Sequence, residues 1–87
     1  MFSVKITKKA TKGILKMPEK IQARMIILLK DLHNKGPIRS EWPNFGKLND
    51  NIYHCHLAHK WVACWKHEKN SIIIEVYYAG SRENAPY

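Results

Sequence analysis

The chain opens on an alternation: Phe2, Val4 and Ile6 are apolar, Ser3 and Lys5 polar. A period of two predicts a short strand over Phe2 to Ile6. The period then lengthens. The Thr7 hydroxyl can accept a backbone N–H and so cap a helix. Ala10 and Ile14 fall one turn apart, predicting a helix over Lys8 to Lys16. Lys8, Lys12 and Lys16 recur every four residues as a basic stripe on its other side. Gly13 weakens this helix by about 1 kcal/mol relative to alanine. Pro18 suits a first helical turn, where its missing N–H would have had no partner. From there Ile21, Met25, Leu28, Leu29 and Leu32 form one apolar stripe, predicting a second helix to about Asn34, stopped by Gly36 and Pro37. The two helices make an antiparallel hairpin able to cover one face of a sheet. Ile38 to Asn51 is rich in turn formers and carries Trp42, Phe45 and Leu48 as apolar anchors, which predicts an ordered loop.

Three β-patterned runs follow, Ile52–Leu57, Trp61–His67 and Ser71–Ala79, joined by gaps short enough only for antiparallel hairpins. Pairing Leu57 with Trp61 sets Cys55 against Ala63 and Tyr53 against Trp65. Pairing Glu68 with Ser71 sets Trp65 against Ile74 and Ala63 against Val76. Both registers give the same apolar face: Tyr53, Cys55, Leu57, Trp61, Ala63, Trp65, Ile72, Ile74 and Val76. A slip of one residue would invert it. The other face carries His54, His56, Val62, Cys64, Lys66, Ile73, Glu75 and Tyr77. The expectation is one α+β domain spanning residues 1–87. An antiparallel β-sheet packs on an N-terminal helical hairpin in the order β-α-α-β-β-β.

Length and composition agree with a single small domain, at 87 residues with 45% hydrophobic and 25% charged residues. No apolar run approaches a membrane span, and the start lacks the h-region of a secretory signal, so a cytoplasmic location and no membrane partner are expected. Two cysteines in such a chain are expected to be reduced. The net charge of +8 is one-sided. Residues 1–40 hold ten Lys and Arg against two acids, residues 41–87 five against five. A basic N-terminal half points to nucleic acid or an acidic protein partner.

The candidate chemistry lies on the less apolar sheet face. Cutting an RNA strand without metal needs a base for the 2′-hydroxyl, cations on the phosphate and an acid for the leaving oxygen. His54 and His56 project together and titrate near neutrality. Arg82 offers a planar fork for phosphate, and Tyr87 a ring or a hydroxyl for the substrate. A row of His54, Cys64 and Glu75 also has zinc-ligand chemistry. Against it, no Cys-x-x-Cys or His-Glu-x-x-His motif is present, and neither metal nor cofactor is expected. The histidine pair is equally compatible with a plain polar face.

The order of a strand, a helical hairpin, a Lys47-Leu48 step, the strand Tyr53-His54-Cys55-His56-Leu57 and two further strands is familiar. With Gly80-Ser81-Arg82-Glu83 and a terminal Tyr87, it resembles the RelE/ParE toxin superfamily over nearly the whole chain. The resemblance implies a toxin of a type II toxin–antitoxin system, a ribosome-dependent endoribonuclease that cuts mRNA by 2′-hydroxyl attack on the adjacent phosphate. Its implied partners are a cognate antitoxin, the mRNA and the ribosome, whose RNA would meet the basic hairpin through Lys8, Lys12 and Lys16. His54 and His56 take the places of two basic cleft residues, one acting as base. Arg82 and Lys47 would hold phosphate, and Tyr87 would stack on or donate to the substrate. Val62 stands where the RelE type has an arginine, with Lys60 or Lys66 as substitutes, and the spacing from Gly80 to Tyr87 is one residue short. The alternatives are a ParE-like gyrase inhibitor without nuclease activity and an inactive toxin-fold binding protein.

Overall fold

Local chemistry sets the first boundaries. The Thr7 hydroxyl accepts the Ala10 N–H at 3.1 Å, and helix α1 runs Lys8–Leu15 behind that cap. Helix α2 runs Glu19–Lys35 and ends at Gly36, whose φ of +93° suits glycine. A side chain there would also strike the Phe2 ring. Arg39 completes this end of α2. It is buried, its guanidinium donates to the Gly36 and Lys35 carbonyls, and it pairs with Glu41 at 2.6 Å. One of the ten cations counted on the N-terminal half is thus a helix cap rather than free surface charge.

The computed structural model describes residues 1–87. Around the helices stand β1 (Ser3–Ile6), β2 (Gly46–Asn49), β3 (Ile52–Ala58), β4 (Trp61–His67) and β5 (Ile73–Ser81). They form one sheet in the order β1-β5-β4-β3-β2, with β1 parallel to β5 and the rest antiparallel. The α+β expectation holds with one addition: the connector contributes a fifth strand, β2, which pairs with β3 across Lys47 and Tyr53.

Along most of its length the β3–β4 register is as the sequence predicts, with Tyr53 opposite Trp65 and Cys55 opposite Ala63; at the turn an irregularity sets Ala58, not Leu57, opposite Trp61. The β4–β5 register differs. Trp65 faces Val76 rather than Ile74, and Ala63 faces Ala79 rather than Val76. The turn takes up more residues than expected, leaving Ile72 outside the strand and 65% exposed. A bulge then falls between Cys64 and Trp65. Such a bulge sets two residues against one, so beyond it Ala79 faces the core and Tyr78 the opposite face. Glu75 therefore sits opposite Lys66, and Tyr78 opposite Cys64, so the row of His54, Cys64 and Glu75 does not form.

The core lies between the helices and one sheet face: Ala10, Met25, Leu28 and Leu32 meet Tyr53, Cys55, Leu57, Trp65, Ile74 and Val76. Gly13 has a packing role here. A methyl group on it would collide with the Ala79 carbonyl of β5. Gly13→Ala is therefore expected to destabilise the protein despite the better helix propensity. An overpacking cost of about 1–3 kcal/mol exceeds the ~1 kcal/mol propensity gain. The midpoint of thermal unfolding should fall, by several degrees where the cost is at the upper end of that range.

Candidate functional site

The second sheet face is the one that carries chemistry. By register it presents His54 and His56 of β3, Val62 and Cys64 of β4, and Tyr78 and Gly80 of β5. Val62 and Cys64 are fully buried although they lie outside the main core. The chain reverses after β5, where the Arg82 N–H donates to the Lys60 carbonyl at 2.8 Å and the Ala85 N–H to the Arg82 carbonyl at 3.3 Å. That reversal returns Tyr87 to the sheet, with its ring centroid 4.4 Å from that of His54.

His54 is enclosed at two places. Tyr87 packs on its ring, and at the Nε2 edge Gly46 leaves the space the ring occupies, since a Cβ there would lie 2.7 Å from Nε2. Its Nδ1 is buried without a hydrogen-bond partner. Burial, and then the nearby His56, hold its pKa below the usual histidine value. His56 is more accessible. Its backbone N–H donates to the Pro43 carbonyl at 2.8 Å, and its Nδ1 lies 3.4 Å from the Asn44 amide nitrogen. Burial lowers its pKa as well, followed by the Arg82 guanidinium and His59. Near pH 7 both imidazoles are held neutral, the form that accepts a proton. Tyr87 is shifted upward, chiefly by burial, so its phenol remains a donor.

Neither cysteine offers a nucleophile. Cys55 is buried in the core and Cys64 on the opposite face, both free, and burial is the main cause of raising each thiol to about 12. Tyr77 lies beside Cys64 and is likewise raised to about 12, mainly by burial.

Of the four residues predicted as catalytic, His54 and His56 therefore share one face, Tyr87 packs against His54, and Arg82 starts the tail that carries Tyr87 there, near enough that its charge, after burial, lowers the His56 pKa. The predicted RNA-binding lysines divide. Lys60 is on the turn that binds the Arg82 backbone. Lys66 shares the face but pairs with Glu75 at 3.6 Å. Lys47 does not reach the site. It pairs with Tyr53 rather than His54, so strand alternation turns it to the helix side, with Nζ 5.9 Å from the Tyr53 ring centroid. On α1 the lysines that line the groove against β5 are Lys9, Lys12 and Lys16, not Lys8. At ~100° per residue, Lys9 and Lys16 fall within roughly 20° of one line, whereas steps of four drift by about 40° each.

Asn44 was legible only as a turn former. It adopts a φ of +53°, which asparagine tolerates, and so brings its amide to His56. An asparagine after proline in a turn carries no signal for that role. His33 and His67 have structural partners: Nδ1 of His33 meets the Phe2 carbonyl at 2.6 Å, and Nε2 of His67 the Ser71 carbonyl at 2.7 Å.

No protein-family model matches the chain, and no curated protein sequence matches it. Solved structures do. The archaeal RelE–RelB complex from Pyrococcus horikoshii contains a chain that aligns with a TM-score of 0.75 at 16% identity, covering 97% of this chain and 98% of that one. The isolated RelE toxin of E. coli aligns with a TM-score of 0.75 at 13% identity, covering 99% of this chain and 89% of that one. The YoeB dimer from Staphylococcus aureus gives 0.71 at 14% identity, over 91% and 94%. The chain has the fold of RelE-like toxins.

Proposed function

We propose that this chain, which folds as RelE-like toxins do, is the toxin of a toxin–antitoxin pair and cleaves mRNA on the ribosome without a metal ion. The observation that carries the reading is the sheet face on which His54 and His56 stand together on β3, with the Tyr87 ring centroid 4.4 Å from that of His54 and the tail that bears Arg82 tied to the Lys60 carbonyl. The fold supports it, as does the crystallisation of RelE with RelB and of YoeB with YefM. A basic chain of this kind has the charge to hold an acidic antitoxin segment, and a cytoplasmic setting follows from the same reading. No helix is long and apolar enough to cross a membrane.

In this scheme the 2′-oxygen bonds to phosphorus as the bond to the 5′-oxygen breaks, leaving a 2′,3′-cyclic phosphate and a 5′-hydroxyl. His56 accepts the 2′-hydroxyl proton. Arg82, with Lys60 near it, meets the charge that gathers on the phosphate. The Tyr87 phenol donates to the leaving oxygen. His54 backs the Tyr87 ring, and its unpaired Nδ1 is free to take a hydrogen bond when the tail shifts for substrate.

One observation favours a second reading. Val62 lies fully buried where the RelE-type pattern has an arginine, so β4 supplies no cation to the cleft at that place. A ParE-like gyrase poison, or an inactive binding protein, would need none. Induced expression followed by primer extension on cellular mRNA separates them. Growth arrest with cuts at codon-defined positions is the expected result. Growth arrest with intact mRNA and damaged DNA points to gyrase, and normal growth to an inactive copy. If His54→Ala, His56→Ala and removal of Tyr87 all leave full toxicity, the site assignment fails.

A further inference from the structure

We propose that the groove between α1 and the C-terminal half of β5, floored by Trp61, binds a single-stranded RNA segment and leads it to His56. The groove measures about 480 Å³ and is lined by Lys9, Lys12, Lys16, Trp61, Tyr78 and Asn84. A second concavity of about 270 Å³, with His59, Lys60 and Arg82 in its wall, shares Trp61 and Ser81 with the first. The two are therefore one continuous surface. Its far end adjoins the site, because Trp61 and Ser81 pair one step beyond Val62 and Gly80, and Val62 pairs in turn with His56.

Three features give the track its ligand. Its cations are Lys9, Lys12, Lys16, Lys60 and Arg82, with Glu83 the acid at its end. Trp61 rests its inner side on the core while remaining partly exposed, which suits stacking by any base. At about 480 Å³ the first concavity falls in the ~300–1,000 Å³ range that takes small organic groups, such as a nucleotide. The local sequence is also costly to the helix itself. The first turn of α1 has no acidic residue and holds Lys8 and Lys9 at the positive end of the helix dipole. A choice that works against local stability is expected where a surface serves binding. Gly13 brings the stripe close, because only without a side chain there does α1 settle against the Ala79 carbonyl.

The proposal deepens the nuclease reading, since it names the path by which substrate reaches His56, but its test needs no cleavage. A fluorescein-labelled ten-nucleotide 2′-O-methyl oligouridine is single-stranded and has no free 2′-hydroxyl to react. Its binding to the full chain is followed by anisotropy over a salt series. The variant Lys9→Ala/Lys12→Ala/Lys16→Ala should lower the log–log salt slope by about 2, at ~0.7 for each contact with a single strand, and weaken binding by about tenfold or more at low salt. The variant Lys20→Ala/Lys30→Ala/Lys35→Ala removes the same charge from α2 and should weaken binding by less than about threefold if the contacts are local. Trp61→Phe keeps most of the packing and should bind more weakly, with loss of the tryptophan quenching caused by the oligonucleotide. The proposal is overturned if the wild-type chain does not bind the oligonucleotide, if both lysine triples weaken it equally, or if a ten-base-pair RNA duplex binds as tightly as the single strand. Intact groove binding in a protein that leaves cellular mRNA uncut would retire the nuclease reading alone. Normal codon-positioned cuts from the α1 triple, with no change in oligonucleotide binding, would retire the groove alone.

Discussion

Replacing His56 with alanine is expected to slow mRNA cleavage by about 10²–10⁴-fold, the usual range for loss of a general base or acid. Folding should change little, by about 0.5 kcal/mol or less, because the side chain is only partly buried and its one side-chain hydrogen bond is the long 3.4 Å approach of Asn44. Cleavage of a programmed ribosome complex over a pH series checks both the role and its sign. Burial and then Arg82 depress the His56 pKa below the ordinary histidine value of 6.5. The neutral, proton-accepting form therefore dominates at pH 7. The rate should be flat from pH 7 upward through neutrality and fall toward about tenfold per pH unit only on the acid side of 6.5. Arg82→Ala removes a neighbouring positive charge, so the acid limb should move upward while the plateau drops. An Arg82→Ala profile that keeps its limb in place would separate Arg82 from His56 and undo the arrangement proposed for them.

The stability consequence has the same sign. A histidine whose folded pKa is depressed binds a proton more readily in the unfolded chain. The stability contributed by His54 and His56 is thus fully present above pH 6.5 and is lost as pH falls through their lowered folded values. His54 carries the sharper case because its Nδ1 is buried and Tyr87 covers the ring. Acid should therefore loosen the closure of Tyr87 before it unfolds the core.

Much of this arrangement was legible in the chain because side-chain period and capping chemistry are local. Thr7, Gly36 and the Ile21-to-Leu32 stripe bound and orient the helices, and the alternation in Ile52–Leu57 alone separates Tyr53 and Cys55 from His54 and His56. The shared face of His54 and His56 was legible for the same reason, strand parity, and the short tail brings Tyr87 to His54. What was not legible depends on contacts between distant segments. The pairing of β2 rests on tertiary partners rather than on the turn-rich composition of the connector. The longer β4–β5 turn shifts Glu75, and the bulge beyond it shifts Tyr78, without either leaving a mark on the pattern. The inward turn of Lys47 follows from that unforeseen β2 pairing, and Arg39 reads as a surface cation until the carbonyls it caps are in place. Net charge counts side chains but does not locate them.

Trp65→Ala is the substitution expected to cost the most stability, about 3–5 kcal/mol, which is a large share of the roughly 5–15 kcal/mol that holds a domain folded. Trp65 is the largest fully buried side chain, and it does more than fill space. Its indole N–H donates to the Pro37 carbonyl at 3.1 Å, and its ring lies 6.1 Å from Phe45 and 6.3 Å from Tyr53, which also pack on each other at 6.1 Å. Both ends of the connector, Pro37 and Phe45, are thus fastened to this one residue. Between them Trp42 donates to Asp31 at 2.9 Å, and Pro43 and Asn44 meet His56. Core packing and the position of the proposed base are therefore coupled. Trp65→Phe tests that coupling apart from the cavity. It keeps most of the apolar contact and removes the N–H, leaving the buried Pro37 carbonyl short of a partner at a cost of about 1–3 kcal/mol. Chemical denaturation should give a midpoint between those of the wild type and Trp65→Ala. At temperatures where Trp65→Phe is fully folded, cleavage should still fall, because the connector that holds Pro43 and Asn44 against His56 has lost one of its two ties to residue 65. Wild-type cleavage by folded Trp65→Phe would mean that β3 alone positions His56 and that the connector serves only the core.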